Sequence, residues 1–329
     1  MRRLIFIGIA IFVAGCGAHY TPSTGGYSVN DLAPASASKA NSPTCTKGCL
    51  FVATEYYDSA CKCVPSVWEE FAPPFNHSSS PIVRKQLAGA NSIAADSAYL
   101  ATGGADTPKA KVYHLPVTAG SIYFASIPLT GNAVYLAFDK SHDLWVANSN
   151  NDVEEFVPPF SSTMHPTRVL SMVNPLSITF DNAKNLYIGR TDSLAGGFTE
   201  VRRYAPPYTG SYLSFYPGTF PIAMAIHNST LVVSGAQAYV ANCNCWDLEV
   251  FNLPVTSSSS PTQIPFNYGD SAGAIAFDAS GNLFVPLGYP AHSAPAGIIV
   301  YRPPFTPSNH GAYEIVNGMY LPNSVAIGP

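Results

Sequence analysis

The chain has little charge. Asp, Glu, Lys and Arg make up 11% of its 329 residues, against about 25% in an ordinary soluble domain. Its formal net charge is −4, which excludes a nucleic-acid binder acting through a basic surface. No long acidic or basic block occurs, so charged interaction tails are excluded as well. The short phrases of familiar chemistry are also missing: there is no Gly-x-Ser-x-Gly elbow, phosphate loop or His-Glu-x-x-His. The eight histidines are scattered, and none forms a His-x-x-x-His pair. Only three tryptophans are present, Trp68, Trp145 and Trp246, without the recurring docking phrase of a quinone-cofactor dehydrogenase. What is plentiful points one way. Hydrophobic residues reach 47%, with 19 Tyr and 18 Phe, and both aromatics suit strands. The 29 prolines and 25 glycines are too few for collagen or a disordered chain, and enough to punctuate an all-β chain with turns.

The N-terminus carries an address. Met1-Arg2-Arg3 precedes an apolar run from Leu4 to Gly15, and Cys16 follows. Twelve helical residues reach about 18 Å, short of the roughly 30 Å hydrocarbon core. Residues 1–15 therefore read as an export signal rather than a membrane span. The phrase Val13-Ala14-Gly15-Cys16 resembles the lipobox of bacterial lipoproteins. That resemblance implies cleavage before Cys16 and a lipid on its side chain. Gly17 in place of Asp favours the outer membrane or cell surface. Cleavage removes two arginines and no acid, leaving a net charge of −6. Residues 16–44 are rich in Ser, Ala, Pro, Thr and Gly without an apolar period, and read as a flexible tether.

The rest of the chain repeats. Phe71-Ala-Pro-Pro-Phe75, Tyr113-His-Leu-Pro-Val117, Phe156-Val-Pro-Pro-Phe160, Tyr204-Ala-Pro-Pro-Tyr208, Phe251-Asn-Leu-Pro-Val255 and Tyr301-Arg-Pro-Pro-Phe305 are six copies of one phrase. A second phrase follows each copy: Ser92-Ile-Ala-Ala-Asp96, Tyr135-Leu-Ala-Phe-Asp139, Ser177-Ile-Thr-Phe-Asp181, Ala223-Met-Ala-Ile-His227, Ala274-Ile-Ala-Phe-Asp278 and Ser324-Val-Ala-Ile-Gly328. The second phrase reads as an inner strand buried on both faces, and its Asp opens a tight turn. A second strand such as Asn185-Leu-Tyr-Ile follows, then a variable loop. The third strand alternates polar and apolar residues, and proline ends it, because proline cannot continue a ladder. An outer strand such as Thr167-Arg-Val-Leu170 completes the unit. Four strands at a period of about 45 residues make a β-propeller blade. The chain ends on a lone inner strand at Asn323–Pro329 and begins its fold on a second strand at Cys49–Thr54. Pairing these closes a ring of six blades over residues 45–329 and removes open sheet edges.

The run Asn174-Pro-Leu-Ser-Ile-Thr-Phe-Asp181-Asn-Ala-Lys-Asn185-Leu-Tyr-Ile-Gly189 resembles an NHL-type propeller repeat. Gly273-Ala-Ile-Ala-Phe-Asp278-Ala-Ser-Gly281-Asn282-Leu-Phe-Val285 matches it equally well. The resemblance covers about 280 residues at the level of fold and departs after the second strand, where the family's Asn-x-Arg-Ile hairpin is missing. The Trp-Asp phrase of another propeller family is absent too. NHL-type and related six-bladed propellers include scaffolds, binding modules, gluconolactonase-like hydrolases and lyases, so the fold leaves the function open.

Propeller ligands usually meet the face formed by loops leading into the inner strands and by loops joining second to third strands. Asn91, Asn132, Asn174, Asp270, Asn317 and Asn323 precede or open the inner strands and are candidates for the mouth of the central channel. Oxygen-rich rings of that kind hold Ca²⁺ in gluconolactonase-like propellers, where a carboxylate also acts as base. Here only Asp270 is acidic, and a Ca²⁺ site usually needs several carboxylates. The asparagines also suit turns on their own account. The turn aspartates recur in blade after blade, which marks them as turn caps. Tyr239, Trp246 and Tyr289 lie in or beside the longest and least similar loops, where binding specificity tends to reside. Six cysteines follow Cys16: Cys45, Cys49, Cys61, Cys63, Cys243 and Cys245. In an exported chain they read as disulfide candidates, with Cys45 and Cys49 able to reach the first long loop. Two Cys-x-Cys pairs could instead hold Zn²⁺ if their loops met, but one blade lies between them. The expectation is a membrane-tethered, non-catalytic module that binds an envelope protein, peptide or glycan, without a cofactor or nucleic acid. A gluconolactonase-like or lyase-like enzyme at the channel mouth is the alternative.

Overall fold

The computed structural model describes residues 45–57, 63–86, 92–104, 107–192, 199–236, 246–266, 273–287, 297–315 and 322–328. Among these the chain forms 24 strands in six antiparallel four-stranded sheets, and no helix. Blade 1 takes β1 (Leu50–Tyr57), β2 (Cys63–Phe71) and β3 (Val83–Gln86). Blade 2 holds β4 (Ser92–Ala95), β5 (Tyr99–Gly103), β6 (Lys109–His114) and β7 (Ala125–Pro128). Blade 3 holds β8 (Ala133–Phe138), β9 (Leu144–Asn148), β10 (Asp152–Phe156) and β11 (Arg168–Ser171). Blade 4 holds β12 (Pro175–Phe180), β13 (Leu186–Thr191), β14 (Thr199–Tyr204) and β15 (Tyr212–Phe215). Blade 5 holds β16 (Ala223–His227), β17 (Thr230–Ala236), β18 (Trp246–Asn252) and β19 (Thr262–Phe266). Blade 6 holds β20 (Ala276–Phe277), β21 (Leu283–Leu287), β22 (Gly297–Tyr301) and β23 (Ala312–Ile315). The last strand, β24 (Pro322–Ile327), returns to blade 1 and pairs with β1, Val52 opposite Val325. The protein is thus a six-bladed propeller closed by its two ends, as the repeat predicts.

The inner strands β24, β4, β8, β12, β16 and β20 touch in succession around the axis. The first residue of the Ser-Ile-Ala-Phe phrase clips neighbouring blades together. Ser324 Oγ accepts from Ile93 N at 3.2 Å, Ser92 Oγ accepts from Leu136 N at 2.9 Å, and Ser177 Oγ donates to Pro221 O at 2.6 Å. These serines are buried, and each hydrogen bond removes a polar orphan from the ring's interior. In β8, β12 and β24 a register shift falls just before this residue; a bulge there re-aims the side chain.

The proline phrase ends every third strand with a cis bond: Pro73-Pro74, Leu115-Pro116, Pro158-Pro159, Pro206-Pro207, Leu253-Pro254 and Pro303-Pro304. The aromatic residue opening the phrase is buried in all six blades. It is followed by a turn such as Thr118–Ser121, closed by Ser121 N to Thr118 O at 3.0 Å and Thr118 N to Ser121 Oγ at 2.8 Å.

The third strands differ from the expected alternation. Glu69, Glu154 and Glu249 occupy one register position, two residues before that aromatic, and all are fully buried. Crossing loops supply donors: Gly218 N reaches Glu249 Oε1 at 3.0 Å, and Thr130 N reaches Glu154 Oε1 at 3.3 Å. Glu69 accepts instead from Arg84 Nε at 2.6 Å.

Candidate functional site

Two faces of the ring carry different connections. The loop face holds the crossings into the inner strands and the second-to-third strand loops. The turn face holds the tight turns after the inner strands and the proline turns. On the turn face, near the axis, lies a cavity of about 550 Å³. Its walls are the turns of blades 2, 3 and 4, with Ile226 of blade 5 on the far side.

Each turn is built by its aspartate. Asp96 Oδ1 accepts from Ala98 N and Tyr99 N, both at 2.7 Å. Asp139 Oδ1 accepts from Ser141 N at 2.7 Å and Asp143 N at 3.0 Å. Asp181 Oδ1 accepts from Ala183 N at 2.9 Å and Asn185 N at 2.8 Å. Asp278 repeats the pattern outside the cavity, with Ser280 N and Asn282 N both at 2.9 Å. These are Asx turns, and the aspartates act as turn caps.

The second carboxylate oxygen is where the blades diverge. Asp96 Oδ2 lies 2.7 Å from His142 Nδ1, across the gap between blades 2 and 3. Asp181 Oδ2 accepts from Asn185 Nδ2 at 2.7 Å and from the Tyr187 hydroxyl at 3.1 Å. Burial first, then the Asp181 charge, hold the Tyr187 phenol far above its ordinary range. Asp143, behind the cavity, is raised by burial and by the Asp139 charge. Two lysines bridge the turns of blades 3 and 4: Lys140 Nζ donates to Asn182 Oδ1 at 2.8 Å, and Lys184 Nζ to Ser141 Oγ at 2.9 Å. Phe138, Phe180, Ala137 and Ile226 supply the apolar wall. Phe180 is braced by Trp145 at 5.6 Å between ring centroids, and Phe138 by Tyr99 at 6.2 Å. The result is an open concave surface with aromatic walls and polar side chains bonded to their neighbours.

Sequence reasoning missed this basin. A signal was nevertheless present. Position four of the turn is Gly281 in blade 6, with φ of 80°, but Lys184 in blade 4 at 62° and His142 in blade 3 at 68°. The left-handed region costs a side chain about 1 kcal/mol. A His and a Lys held there are placed by something other than backbone preference.

The expected site residues fall elsewhere. Asn132, Asn174 and Asn323 are on the loop face and are tied into the backbone. Asn132 N donates to Ser149 Oγ at 3.0 Å. Asn174 takes φ of 44°, and its N donates to Asn151 Oδ1 at 2.9 Å. Asn323 sits at the β24 bulge, where its carbonyl accepts from Ala274 N at 3.1 Å. Asn91, Asp270, Asn317, Tyr239 and Tyr289 lie outside the described residues, as do Cys16, Cys61, Cys243 and Cys245. Trp246 opens β18 and Cys63 opens β2. Cys45 and Cys49 do not reach toward the first long loop; they are bonded to each other. Gly48, at φ of 63°, turns the chain back and brings their Cα atoms to 5.7 Å. Their sulfurs and the Glu70 carboxylate lie within 4.8 Å of one another. With the sulfurs joined, no thiolate is free there to hold a metal.

No family model matches the chain, and no curated protein matches it. Solved structures do. A protein of unknown function from Bacteroides caccae superposes with a TM-score of 0.57 at 11% identity, covering 85% of this chain and 98% of that one. A functionally unknown protein from Desulfotomaculum acetoxidans gives 0.55 at 15% identity, over 84% and 89%. A chain from a nidogen/laminin complex gives 0.54 at 11% identity, over 85% and 98%. At these identities the likeness is one of fold.

Proposed function

We propose that the chain is exported, lipidated at Cys16 and tethered to the bacterial cell envelope, where its propeller works as a non-catalytic binding module. Its recognition surface is the basin on the turn face. The observation that carries this reading is the commitment of the basin's acids: Asp96, Asp139 and Asp181 each give one oxygen to two backbone N–H groups. Their positions are set by the turns, which suits recognition of a ligand held against the basin. The aromatic walls fit the apolar face of a sugar or peptide, and His142 and Lys140 fit its hydroxyl or amide groups.

A thermal-shift screen tests the reading, using the exported chain with glycans, peptides, simple lactones, Ca²⁺, Zn²⁺ and EDTA. A ligand at 100 times its Kd adds about 2.7 kcal/mol, a midpoint rise of several degrees. A rise with a glycan or peptide, lost in His142→Ala and Lys140→Ala, is the expected result. A rise with Ca²⁺ reversed by EDTA, together with lactone turnover, overturns it in favour of a hydrolase centred on Asp270. Mass spectrometry of the mature N-terminus checks the lipid on Cys16 separately.

A further inference from the structure

Three of the exposed large apolar side chains among the described residues are consecutive. Ile122 is 81% exposed, Tyr123 45% and Phe124 39%. They lead into the outer strand of blade 2, at its turn-face end, just after the turn Thr118–Ser121. Tyr123 and Phe124 are held by their neighbours. Phe124 N donates to Val112 O at 3.0 Å. The Phe124 ring stacks on His114, with centroids 3.9 Å apart and planes 11° apart. Tyr123 stands edge-on to the buried Tyr113 at 6.2 Å. Three adjacent apolar side chains are thus left wetted, two of them fixed in place, and such a cluster marks an interaction surface.

Its surroundings are cationic. Lys111 Nζ lies 5.5 Å from the Tyr123 ring centre, and Lys85 Nζ lies 5.8 Å from that of Tyr113. The stretch from Lys109 to Pro128 contains no Asp or Glu. The acids on the facing strand of blade 1 are withdrawn: Glu69 is bonded to Arg84, and Glu70 is buried. A positive, aromatic corner on a chain of net charge −4 runs against the whole-molecule trend.

The chain enters the propeller beside this corner. Cys45 and Cys49 pack in one cluster with Tyr113 and Val117, and Val117 immediately precedes the turn that projects Ile122. We infer that this corner is a membrane-docking surface, with Ile122, Tyr123 and Phe124 entering the interfacial layer and Lys85 and Lys111 facing anionic headgroups. The occupant is the bilayer because the tether that ends here begins at Cys16, and this step rests on the lipid-anchor reading. On the tether reading of the sequence, a coil as long as residues 17–44 would span about 30 Å. The tether thus keeps the corner near the surface without orienting the ring; the aromatic corner does that. Aromatic rings with a polar edge favour the interface, and an anchor plus a basic patch is the usual pair of signals for stable attachment.

The experiment uses the full chain carrying Cys16→Ser, so that no lipid contributes. It is sedimented with vesicles of phosphatidylglycerol in phosphatidylethanolamine, and with phosphatidylcholine alone. Expected is salt-sensitive binding to the anionic vesicles, weakened about tenfold or more by Ile122→Ser with Phe124→Ser. Lys85→Glu with Lys111→Glu lowers it further, whereas Val169→Ser on the exposed edge of blade 3 leaves it unchanged. Unaltered melting midpoints confirm that the variants fold. A chain that ignores anionic vesicles, or binds them equally well without Ile122 and Phe124, overturns the inference and leaves the patch to a protein partner. Lipid found on Cys16 of the native protein in that case would leave the anchor standing, so the two failures are distinct.

Discussion

The hydroxyl of Tyr135 donates to the carbonyl of Met224 at 3.2 Å, and the two residues belong to blades 3 and 5. The contact skips blade 4 inside the ring. Tyr135 occupies the position that Ser92, Ser177 and Ser324 take in other blades. Those serines clip adjacent blades, and the longer phenol reaches the next blade but one. Tyr135 is buried, and burial holds its pKa far above the usual phenol range, so it stays a donor. It joins the core cluster that also holds Ile178, Ala223 and Ala274. The interior of the ring is thus filled from blade 3 by a group that packs and bonds at once.

Tyr135→Phe keeps the ring and deletes the hydrogen bond. The expected loss is about 1 kcal/mol, read by urea denaturation. Tyr135→Ala removes the ring as well and opens a cavity, for an expected loss of about 3–5 kcal/mol. Equal effects of the two substitutions would show that the phenol does not fill the axis.

Gly273 lies where β24 meets blade 6. Ala274 and Ser324 form a parallel bridge there, and a Cβ on Gly273 would sit 1.3 Å from Asn323 O. That atom is backbone on the strand that closes the ring, so it cannot swing aside. Gly273→Ala is expected to cost about 3 kcal/mol or more and to expose β24 to proteolysis first. Gly210→Ala is the control, because nothing lies within 4 Å of its added Cβ. A stability change under about 0.5 kcal/mol is expected there.

The turn caps make a third prediction. Asp278 holds Ser280 N, Asn282 N and Asn282 Nδ2. Asp278→Ala strands those donors and is expected to cost about 1–2 kcal/mol, by analogy with a lost helix cap. Asp278→Asn keeps one acceptor and is expected to recover about half. Thermal denaturation of the pair gives the comparison.

The architecture was legible because its signals are local. Proline must stop a ladder, and an Asp followed by Gly or Asn must turn, wherever the chain goes afterwards; six copies then count the blades. Closure was legible because β1 and β24 each read as half of a pair. What failed were judgements that depend on a neighbour in space. Glu69 and Glu154 sit on strands whose polar and apolar residues alternate in sequence, yet both are fully buried. Ser92 and Ser177 read as part of an apolar run, because periodicity records burial and not the partner that satisfies a hydroxyl. The basin was illegible for the same reason: Asp96 and His142 are 46 residues apart in sequence and meet only when blade 3 packs beside blade 2.

Buried carboxyls set the pH dependence of the fold. Glu70 is fully buried, and neither oxygen has a partner among the described residues. Burial alone pushes its pKa to about 7. Burial raises Glu69 to about 7 despite the opposing Arg84 guanidinium, and raises Glu249 to about 7 despite its Gln263 and Gly218 donors. An unfolded chain titrates these groups near 4.5. Between that value and about 7 the folded state binds the extra protons. Stability from these groups is therefore complete below pH 4.5 and is lost as pH rises toward 7. Glu200 has the opposite sign. Burial pushes it up, but Ser214, Arg202 and Arg190 outweigh that and lower it, so its contribution fades as pH falls into the acid range. The denaturation midpoint is expected to peak in mildly acidic solution and to decline toward neutrality. Glu70→Gln removes the charge at constant shape, so it is expected to flatten that decline and to gain up to roughly 3 kcal/mol above pH 7. Midpoints that climb steadily from pH 4.5 to 7.5, or a Glu70→Gln curve parallel to the parent, would show that Glu70 is ionised and satisfied in the folded protein.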